Sequence, residues 1–177
     1  MGHDITACTF AVDPLRLQSG LSVQEALALG PVDPEDFWTS SSRSGWYQQL
    51  LERILVVYPG FGPLKVLLGD LVALPAQECR AVAGLLRRLL DAIECNPAPL
   101  AGLNFIETDV AEIHRQVGEA QLSSRIDDDC ALAHANFFSY LLSQATALEK
   151  GTEKGWAVVV VQLGPSDSED RLIWPPA

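Results

Sequence analysis

Basic side chains are scarce in this chain: 12 Lys and Arg stand against 23 Asp and Glu, giving a formal net charge of −11. Neutralising phosphates needs clustered Lys and Arg, and the few present are scattered. The sequence therefore predicts no nucleic-acid partner. Long apolar runs are missing too. The longest, such as WAVVVVQL, falls far short of a bilayer span, so no membrane partner is expected. The opening MGHDITACTF has no basic segment followed by a long apolar one, so it does not read as an export signal. Its Met-Gly start and Thr6 give only the outline of a myristoylation signal, with no polybasic stretch to supply a second anchor. The four cysteines, Cys8, Cys79, Cys95 and Cys130, form no CxxC pair. Without an export signal they read as reduced thiols of a cytoplasmic protein. Cys79 and Cys95 lie too far apart along one predicted helix to bridge.

What is present is enough for a folded domain. Hydrophobic residues make up 48% and charged residues 20% of 177 positions, which excludes a disordered chain and fits one sizeable core. HDITACTFAV (3–12) is rich in β-branched and aromatic residues and reads as a strand covered on both faces. GWAVVVVQLG (155–164) reads the same way. LSVQEALALG (21–30) is a short helix with a Ser22/Glu25 capping box and a Gly30-Pro31 stop. Residues 31–45 read as a polar loop carrying two aromatics. From Trp46, the spacing of Tyr47, Leu50, Leu51, Ile54 and Leu55 predicts a helix. LKVLLGDLVAL (64–74) fits a short strand or a buried helical turn equally well.

Residues 75–97 give the clearest helix: Pro75 suits its first turn, and Val82, Leu86, Leu89, Leu90 and Ile93 form the buried stripe. Arg87 and Asp91 can pair one turn apart on its outer side. A Pro-containing loop covers 96–105. A helix over 107–122 then turns Val110, Ile113 and Val117 inward, and a last helix runs from about Asp127 to Lys150. GTEKG reads as a polar turn. No segment repeats another, which argues against a solenoid. The expected fold is α+β: a mostly helical single domain over 1–164, packed on a small sheet that contains the N-terminal and C-terminal strands. Residues 165–177 are expected to form a flexible, acidic, Pro-containing tail.

One stretch concentrates chemical groups. SSRIDDDCALAHANFF (123–138) holds Asp127, Asp128, Asp129, Cys130 and His134. Helical arithmetic places His134 on the apolar stripe of Ala131, Ala135, Phe138, Leu141, Leu142, Ala145 and Leu148. His114 falls on the apolar side of its own helix, between Val110 and Val117. Zinc needs three or four converging ligands, and only Cys130 and His134 are suitably spaced, without HExxH or a Cys pair. Aspartates at a helix start satisfy free N–H groups and complement the dipole, while a core histidine and a core thiol are ordinary. Capping and packing therefore explain the stretch, and no catalytic residue, metal or cofactor is assigned. SSSRSG (40–45) lacks a GxSxG elbow and YPGFGP (58–63) lacks the P-loop pattern.

The binding signal is broader. Acidic groups recur at Asp33, Glu35 and Asp36, at Glu107, Asp109 and Glu112, at Asp127, Asp128 and Asp129, and at Asp167, Glu169 and Asp170. Phe37, Trp38 and Trp46 stand in or beside a loop, and Trp174 in the tail. Aromatics ringed by acid make good interface anchors, and acidity speeds encounter with a basic partner. The expected partner-binding residues are therefore Asp33, Glu35, Asp36, Phe37, Trp38, Trp46, Asp167, Glu169, Asp170 and Trp174.

The strand MGHDI at the start, helices in the middle and FFSYLLSQA…KGWAVVVVQLG at the end give a layout that resembles small bacterial immunity proteins of toxin systems, of the contact-dependent growth inhibition or type VI secretion type. The resemblance covers the two ends, about a quarter of the chain. It implies a protein that binds and neutralises a cognate toxin, or another basic protein, in the cytoplasm. Those families share no functional motif, so it assigns no residue. Two other readings stay open: a small enzyme with a His/carboxylate site between helices, using His114 and His134, and a structural or adaptor subunit.

Overall fold

The structure is a computed structural model that describes residues 4–33, 38–43, 46–101, 103, 110–122, 133–162 and 169–176. The fold is α+β, mostly helical, with a small antiparallel sheet that includes the first and last strands. Strands β1 (Asp4–Val12), β2 (Trp38–Arg43), β3 (Leu71–Leu74) and β4 (Ala157–Gln162) stand in the order β2-β1-β4-β3. The β1–β4 pairing runs from Ala7 opposite Gln162 to Val12 opposite Ala157. As the two apolar runs predict, these central strands are covered on both faces.

Alternation along the strands divides the core. Cys8, Phe10, Val12, Val159, Val161, Leu71 and Ala73 point to one side; Ala11, Val158, Val160 and Leu74 point to the other. The second side carries a thick helical layer. It contains α2 (Trp46–Val57), a 3-10 segment Pro59–Leu68 kinked at Phe61, α3 (Ala76–Cys95), the short α4 (Ala98–Ala101), α5 (Val110–Leu122) and α6 (Ala133–Lys154). The first side carries a thin layer: a 3-10 turn Pro14–Arg16, helix α1 (Val23–Leu29) and a C-terminal segment around Leu172.

The predicted stripes of α2 and α3 are buried as spaced, with Ile54, Leu86, Leu89 and Ile93 fully closed to solvent. Burying each such side chain contributes roughly 1.5–3 kcal/mol. Pro75 precedes the first turn of α3, where its carbonyl accepts from the N–H groups of Glu78 and Cys79 at 2.9 and 3.0 Å. The α1 capping box forms as written in the sequence, with Ser22 N–H donating to Glu25 Oε2 at 2.7 Å and Glu25 N–H donating to Ser22 Oγ at 3.2 Å.

Five expectations change. Residues 38–43 of the expected loop form edge strand β2, because an edge needs backbone pairing rather than an apolar alternation. The ambiguous 64–74 stretch is both things, a 3-10 segment through Leu68 followed by β3. The expected 96–105 loop contains α4, which buries Leu100. The GTEKG turn is helical through Lys154, and Gly155 alone makes the turn at φ 69°. Gly151 stays inside that helix because α6 meets β4 there: a Cβ on it would lie 2.6 Å from Val158 Cγ2. Finally, Arg87 pairs across to Glu149 of α6 rather than with Asp91 along its own helix, since the partner helix offers a bidentate carboxylate.

Candidate functional site

The internal chemistry of the molecule collects where β1 meets α6. Residues 137–145 of α6 are buried all the way round, because the helix is wedged between the sheet, α3 and α5. The sequence pattern implies one apolar stripe, but over these roughly two and a half turns the polar residues enter the core as well. Gln144 Nε2 donates to Tyr140 Oη at 2.5 Å and to Thr9 Oγ1 at 3.3 Å. Tyr47 stacks on Tyr140 with ring centroids 5.1 Å apart, and Phe137 tilts against Tyr47 at 5.5 Å. Burial holds the Tyr140 phenol well above its usual range and pushes the Cys8 thiol up to about 12. Both groups stay neutral, which suits architecture rather than proton transfer or nucleophilic attack.

Of the histidine and acid cluster, Asp127, Asp128, Asp129 and Cys130 lie outside the described residues, as does the side chain of His134. His114 is described, and it corrects the helical reading: it is exposed. The buried face of α5 is Ile113, Gln116, Val117 and Ala120. At about 100° per residue His114 lies roughly 110° round from the centre of that face. Val110, also expected inward, sits at its edge and is 36% exposed. Beside His114, Arg115 bonds to both Glu112 and Glu119, and its guanidinium, with Gln116, lowers the Glu112 carboxyl to about 2. Among the described residues no three His, Cys, Asp or Glu side chains converge as a metal site. No helix among the described residues is long and apolar enough to cross a membrane.

The expected binding residues separate by layer. Glu169, Asp170 and Trp174 belong to the C-terminal segment of the thin layer, and Asp33 follows Val32 at the end of β1. Trp46 opens α2 in the helical layer, and Trp38 opens β2 opposite Thr9. The side chains of both lie outside the described part, as do Glu35, Asp36, Phe37 and Asp167.

The thin layer is assembled by a few specific bonds. Leu172 N–H donates to Leu21 O and Gly20 N–H donates to Leu172 O, both at 2.8 Å, beside an antiparallel bridge between Ser22 and Arg171. Ser19 Oγ donates to the same Leu172 carbonyl at 3.2 Å. Leu172 is buried and Trp174 packs, partly buried, against the same apolar cluster, whereas Arg171 and Ile173 face out. The alternation is that of a strand. Residues 171–174 of the expected flexible tail are therefore fastened, because Leu172 fills a place between Leu17, Leu21 and the sheet. At the loop before β2, Val32 N–H donates to Ala11 O at 2.9 Å and brings Asp33 to the end of β1.

Within 13–33 and 169–176, Asp13, Glu25, Asp33, Glu169 and Asp170 stand against Arg16 and Arg171. Asp13 caps the 3-10 turn through Leu15 N–H at 2.9 Å. The Ser22 backbone N–H, then its hydroxyl, then Arg171 hold Glu25 below the usual carboxylate range. Sequence reasoning missed Leu15 and Ile173, which are 92% and 71% exposed. Neither has a periodic neighbourhood to mark it; the only local signal is Asp13-Pro14, which starts a one-turn helix and leaves Leu15 on its outside. Compared with known proteins, the chain matches no family model, no curated protein and no solved structure.

Proposed function

We propose that this chain is a non-enzymatic, acidic protein-binding domain, an immunity protein that binds and neutralises a cognate bacterial toxin in the cytoplasm. The observation that carries the reading is that two segments distant in sequence, 32–33 bonded to Ala11 and 169–174 bonded to Gly20 and Leu21, carry the exposed acids Glu169 and Asp170, with Asp33 and Trp174, onto the folded domain. A negative face of this kind accelerates encounter with a basic partner and sets its orientation. The finer reading as an immunity protein rests on the layout of the two ends. Burial raises the thiols of Cys8 and Cys79 and the phenol of Tyr140 above their ordinary ranges, which supports a packing role for them.

Co-purification of the tagged chain from its native host tests the reading. The wild type is expected to retain a basic protein at low salt. The variant D33K/E169K/D170K is expected to associate with that protein more slowly, with a shallower dependence on ionic strength. Association kinetics indifferent to the triple charge reversal would sink acidic steering.

A further inference from the structure

The two most exposed apolar side chains of the thin layer have no architectural task. Leu15 is 92% and Ile173 is 71% exposed. A single exposed apolar residue is ordinary. These two belong to segments that the fold draws together. Leu172 pairs with Gly20 and Leu21 next to the Ser22–Arg171 bridge, and the antiparallel direction then carries Ile173 and Trp174 toward Leu17 and the 14–16 turn. Leu17 and Leu172 are buried in one apolar cluster, whereas Leu15 and Ile173, on the same two segments, are exposed.

The charge around them selects the occupant. Among the described residues of segments 13–33 and 169–176, five carboxylates, Asp13, Glu25, Asp33, Glu169 and Asp170, outnumber the two guanidinium groups of Arg16 and Arg171. An anionic lipid surface or a nucleic acid meets like charge there. A second copy docking through the same face meets it too, because a two-fold contact sets each patch against itself. A basic polypeptide carrying apolar side chains meets complementary charge and an apolar anchor site together. We propose that Leu15 and Ile173 are the apolar anchors of a docking surface for a basic, amphipathic segment of a partner protein. This inference rests on the acidic-binding reading above and adds a contact chemistry to it.

The test uses the full chain and two synthetic peptides of about 18 residues. One places leucines at helical spacing among lysines; the other replaces every leucine by serine at the same charge. Binding is followed by calorimetry, and the contact is mapped by amide chemical shifts. The leucine peptide is expected to bind more tightly and to move amides within 13–33 and 169–176. The variant L15S/I173S, altered only at exposed positions, is expected to weaken that binding about tenfold. It is expected to leave the serine peptide unaffected. Unaltered binding of the leucine peptide to L15S/I173S overturns the anchors, as does a contact mapped instead to Val56 and Val66. A dimer abolished by L15S/I173S overturns the choice of partner. The variant E169K/D170K separates the two levels. If it weakens both peptides while L15S/I173S weakens neither, the acidic reading stands and the anchors fall; if it weakens neither, the acidic reading falls.

Discussion

The two faces of the sheet obey the same alternation and are closed in opposite ways. On one side, long helices bury Leu86, Leu89, Ile93, Phe137, Phe138 and Leu141 completely, and a turn of α6 is enclosed on every side. On the other, a seven-residue helix, a single 3-10 turn and one bridge cover Phe10, Val159 and Val161. The first layer is held by apolar area, the second by specific bonds: the capping box, the Asp13 cap and the pairing of Leu172. Regions with few buried contacts and exposed backbone bonds are those that open first. The difference teaches a division of labour in which the helical layer carries most of the stability and the thin layer is the one expected to open first.

The largest expected effect sets one layer against the other. Leu86→Ala removes a fully buried side chain from the helical layer and is expected to cost about 3–5 kcal/mol of global stability by denaturant unfolding. Leu172→Ala removes the same atoms from a site whose neighbours can collapse, and is expected to cost about 2 kcal/mol. Its larger signature is local: hydrogen exchange at the Gly20 and Leu172 amides accelerates while α3 and α6 stay protected. Equal global losses for the two variants would show that both layers unfold as one unit, and the comparison would fail.

How the sequence reads against this structure follows the same division. The helical layer was legible because periodicity is a strong signal over a dozen or more residues: the buried positions of α2 and α3 are those the spacing predicts. The capping box of α1 was legible because Ser22 and Glu25 make a purely local motif. Edge strand β2 was not, since WTSSSR carries no apolar alternation and exists through its partner β1. Tertiary pairing also decided Arg87, which a one-helix view assigns to Asp91 and the fold assigns to Glu149. His114 reads as inward because Val110, Ile113 and Val117 centre the apolar face on its side of the helix; burial of Gln116 in place of Val110 turns that face away from it. Of the candidate site, the acids and Trp174 stood out by type. Leu15 and Ile173 did not, because a leucine or isoleucine in sequence reads as interior until neighbouring backbone bonds fix which way it points.

A second, smaller test concerns the bonds that hold the thin layer. Ser22→Ala removes both the hydroxyl that caps α1 and one of the groups that hold Glu25 ionised, and is expected to cost about 1 kcal/mol. The pH dependence has a definite sign. The folded-state pKa of Glu25 lies below its unfolded value of about 4.5. Its contribution is therefore complete above the unfolded pKa and is lost as pH falls through the folded one. Acid is thus expected to loosen α1, seen as faster exchange of the α1 amides, and Glu25→Gln is expected to remove that part of the pH response. A Glu25 carboxyl titrating at an ordinary carboxylate pH in the folded protein would show that the box contributes nothing to the layer.

The smallest expected effect tests whether the helical layer owes anything to charge. Arg87 of α3 reaches Glu149 of α6 through two bonds, Nε to Oε1 at 2.5 Å and Nη2 to Oε2 at 2.8 Å, and this partner raises the guanidinium pKa above its usual range. The geometry is bidentate, the strongest form of such a pair. Yet the two side chains are 43% and 39% exposed, so water and salt screen the attraction. An R87A/E149A double-mutant cycle is therefore expected to return a coupling of about 0.5–1 kcal/mol, at the upper end for exposed pairs and falling further in high salt. The apolar contacts between α3 and α6, with Leu86 and Leu141 closed to solvent, outweigh that several-fold. A coupling above about 2 kcal/mol that persists in molar salt exceeds what an exposed pair supplies. It would mean that the thick layer, like the thin one, depends on particular polar bonds, and the contrast between the two faces would reduce to one of size.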